Sequence, residues 1–226
     1  MIKKTLLIFF YCFSVLFSQL EDTANDNIIK FSALDLLTGY YYSSSTIQFG
    51  FEKGVSNDIS INTEIGFSFH VNRKPEFFMI NLKSSSGFAF ESEIRKYIDV
   101  STFNYTGQYF SVDFLYRYLD AKKEHSVESI IKDTQPELSN NIIEEYSIFR
   151  NEFAIHVKYG YQSISVAGFT ADFSAGVGLR YISSRTVSAN PIAVTEYEFS
   201  YHKPFGEGSQ YFFSGTVAIK IGWSLK

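Results

Sequence analysis

Ionisable residues recur at alternate positions in several segments of the chain, in register with small polar residues and opposite apolar ones. They are Glu52, Glu64, Glu91, Glu93, Asp113, Glu152 and Asp172, with Arg95, Arg117, Lys158, Arg180 and Lys220, and His156 stands among them. Acids and bases in such near balance can form a structural ion-pair core. The same residue types could also carry a proton path, a small-ion leak or a catalytic cluster. The ion-pair core is the expectation, because charges confined to an interior must pair or meet trapped water. The four histidines, His70, His125, His156 and His202, show no close metal-ligand spacing. His125 and His202 fall in segments read as loops, and His70 falls at a strand end. His156 neighbours Glu152 and Lys158 in sequence and is expected to be a hydrogen-bonded interior residue, not a catalyst. The one cysteine, Cys12, allows neither a disulfide nor a thiolate metal site. Gly176-x-Gly178 lies within a strand with no helix after it, so it is no nucleotide fingerprint. No catalytic residue, metal or cofactor is assigned, and the chain is expected not to be an enzyme.

The elements that hold these residues are strands. From Val217, alternate residues read Val217, Ile219, Ile221, Trp223 and Leu225, against Thr216, Ala218, Lys220, Gly222 and Ser224. A period of two with one apolar and one small, polar or basic face is a strand between two different solvents. The same alternation runs from Ile47 to Val55 and from Ile59 to Phe69, a hairpin about the turn Ser56-Asn57-Asp58. It returns at Phe88–Ile98, Phe110–Tyr118, Phe153–Tyr159 and Phe169–Tyr181. A first strand is expected over Ile28–Leu37, where Leu34, Leu36 and Leu37 blur the register. The longest loop is expected over Asp120–Tyr146, with a weak helical cue at Val127, Ile130 and Ile131. A second long loop is expected over Ser183–Gly208. Even strand number, alternating short and long connections, and strands of about ten or more residues are the outer-membrane pattern. The predicted fold is therefore all-β, an eight-stranded antiparallel transmembrane β-barrel in up-and-down meander order.

Composition agrees. Aromatic residues make up 18% of the chain, which suits strands and membrane-interface girdles. Phe69, Tyr116, Tyr118, Tyr159, Tyr161, Tyr181 and Trp223 stand at strand ends on the apolar face. The four prolines all fall in expected loops, where no ladder donor is lost. A net charge of −4 leaves no basic footprint for nucleic acid. Residues 1–18 read as a signal peptide, with Lys3 and Lys4 before a short apolar run from Leu6 to Phe17. Residues 19–27 form a short polar tail and 28–226 the barrel. The expected location is the Gram-negative outer membrane after cleavage. The expected partners are its lipids, the barrel-insertion machinery during assembly, and an unknown surface partner through the loops.

Three stretches carry a family resemblance. KYGYQSISVAGFTADFSAGVGLRY (Lys158 to Tyr181), ESEIRKY (Glu91 to Tyr97) and FGFEKGVSNDISINTEIGF (Phe49 to Phe67) resemble strands of small Gram-negative outer-membrane barrels grouped as a domain of unknown function. Lys96 stands where that family's Glu-x-Arg-Tyr-Tyr strand has its first Tyr, and Leu225-Lys226 replaces a terminal aromatic residue. The resemblance implies an eight-stranded barrel and brings no established activity, cofactor or catalytic residue. The His-x-Ser arrangement of barrel lipid A deacylases is absent. The expected role is structural or surface-interacting, with a closed polar lumen. Small-solute transport and lipid modification are the alternatives.

Overall fold

The structure, a computed structural model, describes residues 27–32, 44–70, 82–98, 105–128, 141–188 and 208–225. The expected signal peptide and nearly all of the expected N-terminal tail lie outside these residues, as do His202 and Lys226. Eight strands follow one another: β1 (Asn27–Ser32), β2 (Ser44–Gly54), β3 (Ile59–His70), β4 (Leu82–Tyr97), β5 (Gly107–Glu128), β6 (Asn141–Ile164), β7 (Phe169–Ser188) and β8 (Gly208–Leu225). Each is antiparallel to the next, and β1 pairs with β8 to close the ring. Among the described residues there is no helix.

Closure leaves two kinds of face. Inward positions alternate with outward ones along every strand, and burial follows that alternation, as in Ile59–His70. In β1 the blurred register resolves: Ile28, Lys30 and Ser32 are buried, while Ile29 is exposed. Starting from Lys30 and stepping across paired residues leads through Gly50, Glu64, Glu91, Leu115, Ala154 and Arg180 to Phe212. Yet Lys30 itself pairs with Gly222, ten residues further along β8. A stagger of ten over eight strands tilts them by roughly 40° and leaves an interior that side chains can fill.

The connections sort by end. The Val55–Asp58 and Ser165–Gly168 turns, the connection before Gly107, and both Asn27 and Leu225 lie at one end, here called the base. The longer connections join strands at the other end, the mouth. Gly168 takes a positive φ of 91° in its turn, where Gly168 N–H donates to the Ser165 carbonyl at 2.8 Å.

Three expectations are corrected. Asp120–Tyr146 is not one long loop, because β5 runs on to Glu128 and β6 begins at Asn141, paired residue for residue. His125 and Val127 therefore lie in a strand, not in a loop or helix. Likewise β7 continues to Ser188, and β4 already begins at Leu82. The physical reason is shared. Once a hairpin needs no single apolar face, alternation disappears while ladder hydrogen bonds persist. Finally, β6 extends to Ile164, beyond the Phe153–Tyr159 alternation, so Gln162 belongs to a strand.

Candidate functional site

The base of the interior is closed by three buried tyrosines, Tyr97, Tyr105 and Tyr109. Tyr97 meets Tyr105 at 5.7 Å and Tyr109 at 5.4 Å between ring centroids. Tyr105 has φ 59°, the left-handed region that non-glycine residues rarely occupy. Its ring packs over Gly54, where an added Cβ would fall 1.9 Å from the hydroxyl. That hydroxyl donates to the Ser56 carbonyl at 2.6 Å, and Gln162 Nε2 donates to the Tyr105 carbonyl at 2.9 Å. Close by, on the outer face of the Val55–Asp58 turn, Lys96 donates to Asp58. That bond and the one from Ser56 hold the Asp58 carboxyl below its usual range.

Above the tyrosines lies a first ionic layer. Lys30 sits 2.5 Å from Glu52 and 2.7 Å from Asp172. Arg95 Nη1 reaches Asp172 at 2.7 Å and Glu52 at 3.4 Å, and its Nη2 donates to Glu93 at 2.6 Å. The guanidinium lies over the Tyr109 ring at 4.5 Å, and the Tyr109 hydroxyl donates to Asp172 at 2.7 Å. Tyr97 donates to Glu52 at 2.8 Å, and Ser60 donates to the same oxygen. All of these charged groups are buried.

A second layer uses Lys158 and Lys220. Lys158 contacts Glu91 at 2.7 Å and Asp113 at 3.1 Å. Lys220 donates to Glu64 and lies 3.6 Å from Glu91 and 3.7 Å from Glu93. Ligand oxygens of Glu64, Glu91 and Glu93 come within 4.8 Å of one another, a spacing a cation could use. The Lys220 ammonium already occupies that position, so the trio is fitted to a lysine and not to a metal.

Next toward the mouth, Asp113, His156, Gly178 and Ser214 form one cross-strand row over β5, β6, β7 and β8. His156 Nδ1 lies 3.1 Å from Asp113 Oδ1, and Nε2 lies 2.8 Å from Ser214 Oγ. The ring crosses β7 at Gly178, where an added Cβ would stand 2.8 Å from the imidazole Cδ2 and 1.9 Å from the Ile155 carbonyl oxygen. Gly176 similarly makes room for Lys158, and Gly50 for Glu64. The inward glycines thus clear space for these neighbours. Nearest the mouth, Glu152 lies 3.2 Å from Arg180 and 3.4 Å from Arg150, and pairs across the ladder with Arg117.

The thirteen ionisable residues assigned to the lumen from the sequence therefore face the interior. Eleven of them join the two ionic layers or the histidine row or lie beside them: Glu52, Glu64, Glu91, Glu93, Arg95, Asp113, Glu152, His156, Lys158, Asp172 and Lys220. Arg117 and Arg180 lie further toward the mouth, part-exposed, below the buried Leu119, Ala121, Ile148 and Ile182. Sequence reasoning missed Lys30, the three tyrosines, Gln162 and Ser214. Ser214 carries a signal in retrospect, since it continues the inward register of Lys220, Ala218 and Thr216. Its meeting with His156 appears only once the strands are registered. Compared with known proteins, the chain matches no family model, no curated protein and no solved structure.

Proposed function

We propose that this chain spans a lipid bilayer as an eight-stranded β-barrel of the Gram-negative outer membrane, with a closed polar lumen and a structural or surface-interaction role. One observation carries the reading: the molecule is inside out. Charges fill its interior, while an apolar belt is exposed on its outer face. Val177 is 72% exposed, Ile155 57% and Val217 63%. A water-soluble monomer rarely leaves so continuous an apolar surface uncovered.

Aromatic residues border the belt. Toward the mouth, Phe88, Tyr116, Phe153, Tyr181 and Tyr211 follow one another around the ring, with Tyr116–Phe153 and Tyr181–Tyr211 centroids each 4.8 Å apart. Toward the base stand Phe110 with Tyr159, and Phe169 with Trp223. Tyr211 and Trp223 are twelve residues apart on β8. At about 3.3 Å per residue and a tilt of about 40°, that is roughly 30 Å of height, the thickness of a hydrocarbon core. Closure supplies the remaining requirement, since a ring has no unpaired edge to expose to lipid.

Membrane fractionation and gel mobility test the reading. The protein should stay with outer membranes through osmotic shock, and unheated, detergent-folded samples should migrate apart from boiled ones. Release as a soluble protein would overturn the proposal.

A further inference from the structure

We infer that Ser214, His156 and Asp113 form a nucleophilic triad inside the ring that hydrolyses small carboxylic esters entering from the mouth. The inference goes beyond the membrane reading and does not depend on it, because the row is a property of the closed ring in any solvent.

Geometry carries it. An acyl-transfer serine needs a base at hydrogen-bond distance, and the base needs a third group on its other nitrogen. Here Ser214 Oγ lies 2.8 Å from His156 Nε2, and Asp113 lies 3.1 Å from Nδ1. These are the productive ends of the ring: with Nδ1–H held by Asp113, Nε2 is the nitrogen free to accept the serine proton. The Asp113 carboxylate is itself fixed from the other side by Lys158, 3.1 Å from Oδ2. The imidazole has room beside β7 because position 178 is glycine. Ser214 is 8% exposed, and Arg180 on its mouth side is 29% exposed. Arg180 pairs with Phe212 and so is the diagonal neighbour of Ser214, a span of about 7–8 Å within reach of its guanidinium, which also contacts Glu152 at 3.2 Å.

The steps balance. Ser214 Oγ bonds to the ester carbonyl carbon as its proton passes to His156 Nε2. The carbonyl electron pair moves to oxygen, where the developing negative charge faces Arg180. Collapse breaks the bond to the alkoxy oxygen, which leaves as the alcohol with the proton from His156, and acyl-Ser214 remains. Water then attacks the acyl carbon and gives its proton to His156. The carboxylic acid departs, and Ser214 Oγ recovers the proton. One ester and one water become one acid and one alcohol, and no oxidant or metal is required.

The full chain folded in detergent micelles tests this, with a fluorophosphonate as covalent probe and 4-nitrophenyl acetate as substrate. The folded protein should be labelled, with the adduct mapped by mass spectrometry to Ser214. Ser214→Ala should remove labelling and lower ester turnover at least about 10³-fold. The same loss is expected for His156→Gln. Asp113→Asn should lower kcat by roughly 10³–10⁴-fold and leave KM in place, because it presents the wrong tautomer to the serine. Ser174→Ala, at another inward serine, should keep both activities. The heat-shifted gel band reports folding for every variant. No labelling of the folded wild type, an adduct elsewhere, or turnover unchanged in folded Ser214→Ala would each overturn the proposal.

Discussion

Arg95→Met removes one cation from among three buried carboxylates, and the contacts say which of them suffers. Asp172 keeps Lys30 at 2.7 Å and the Tyr109 hydroxyl at 2.7 Å. Glu52 keeps Lys30 at 2.5 Å, with Tyr97 at 2.8 Å. Glu93 loses its nearest cation and retains Lys220 at 3.7 Å and the more distant Lys158, besides the Ser111 hydroxyl at 2.6 Å and the Asn62 amide at 3.4 Å. Leaving a buried charge without its partner costs about 3–5 kcal/mol. Arg95→Met should therefore destabilise by that amount, and most of the loss should trace to Glu93. Neutralising the stranded group should then restore stability: Arg95→Met/Glu93→Gln should recover more than Arg95→Met/Asp172→Asn. Urea titration of the detergent-folded protein, followed by emission of the single tryptophan, Trp223, measures all three. A loss below about 1 kcal/mol would refute the buried-charge argument. Better rescue by Asp172→Asn would refute the assignment of the stranded charge.

Three further outcomes follow from the same interior and its outer face. Val177→Arg, in the middle of the exposed belt, should cost about 2–4 kcal/mol in a bilayer, while the inward Ser174→Ala should be mild in the same titration. Equal tolerance at the two sites would refute the face assignment. Tyr105→Ala should cost about 3–5 kcal/mol by opening a cavity at the base, and Tyr105→Phe only about 1–2 kcal/mol for the lost bond to the Ser56 carbonyl. Comparable losses for both variants would show that the ring does not seal the base. Reconstituted into planar bilayers, the protein should give no sustained conductance steps, and large stable channels would promote transport over a closed lumen.

Much of the fold was legible because a two-solvent sheet writes itself as alternation. The hairpin about Ser56-Asn57-Asp58 alternates except at Lys53 and Thr63, the strand Phe169–Tyr181 alternates throughout, and both register as expected. Legibility failed where the two faces stop differing. Asp120 to Glu128 mixes charges on both sides, so it read as a loop although it is ladder. Lys30 was missed because the leucines after Ser32 hid which face of the first strand was apolar. The tyrosines at the base were missed as a group for another reason: Tyr97 and Tyr109 followed the inward register, but their meeting with Tyr105 depends on a connection that no periodicity describes. Ser214 is the plainest limit. It is fifty-eight residues from His156, and although it follows the inward register of β8, nothing in the sequence marks that the two meet.

The interior is graded from one end to the other, and the grading constrains what it can do. At the base, aromatic rings and the Lys30–Arg95 layer leave these charged groups buried and paired. Higher up, the side chains on β7 and β8 become small: Ser174, Gly176, Gly178, Thr216 and Ala218 share one stretch of wall, and the last two keep part of their surface exposed. Further toward the mouth, Arg117 and Arg180 are part-exposed as well, and the inward Leu119, Ala121, Ile148 and Ile182 beyond them are buried. An interior filled by paired charges is unsuited to vectorial passage, because a path must cross the lower ionic layer and break pairs worth several kcal/mol each. The same pairs give the histidine row a fixed floor. The ion pairs then act as the support that holds Asp113, and through it the His156 ring, in place against β7. A network that looks purely structural by charge balance can thus be the device that positions a single reactive row.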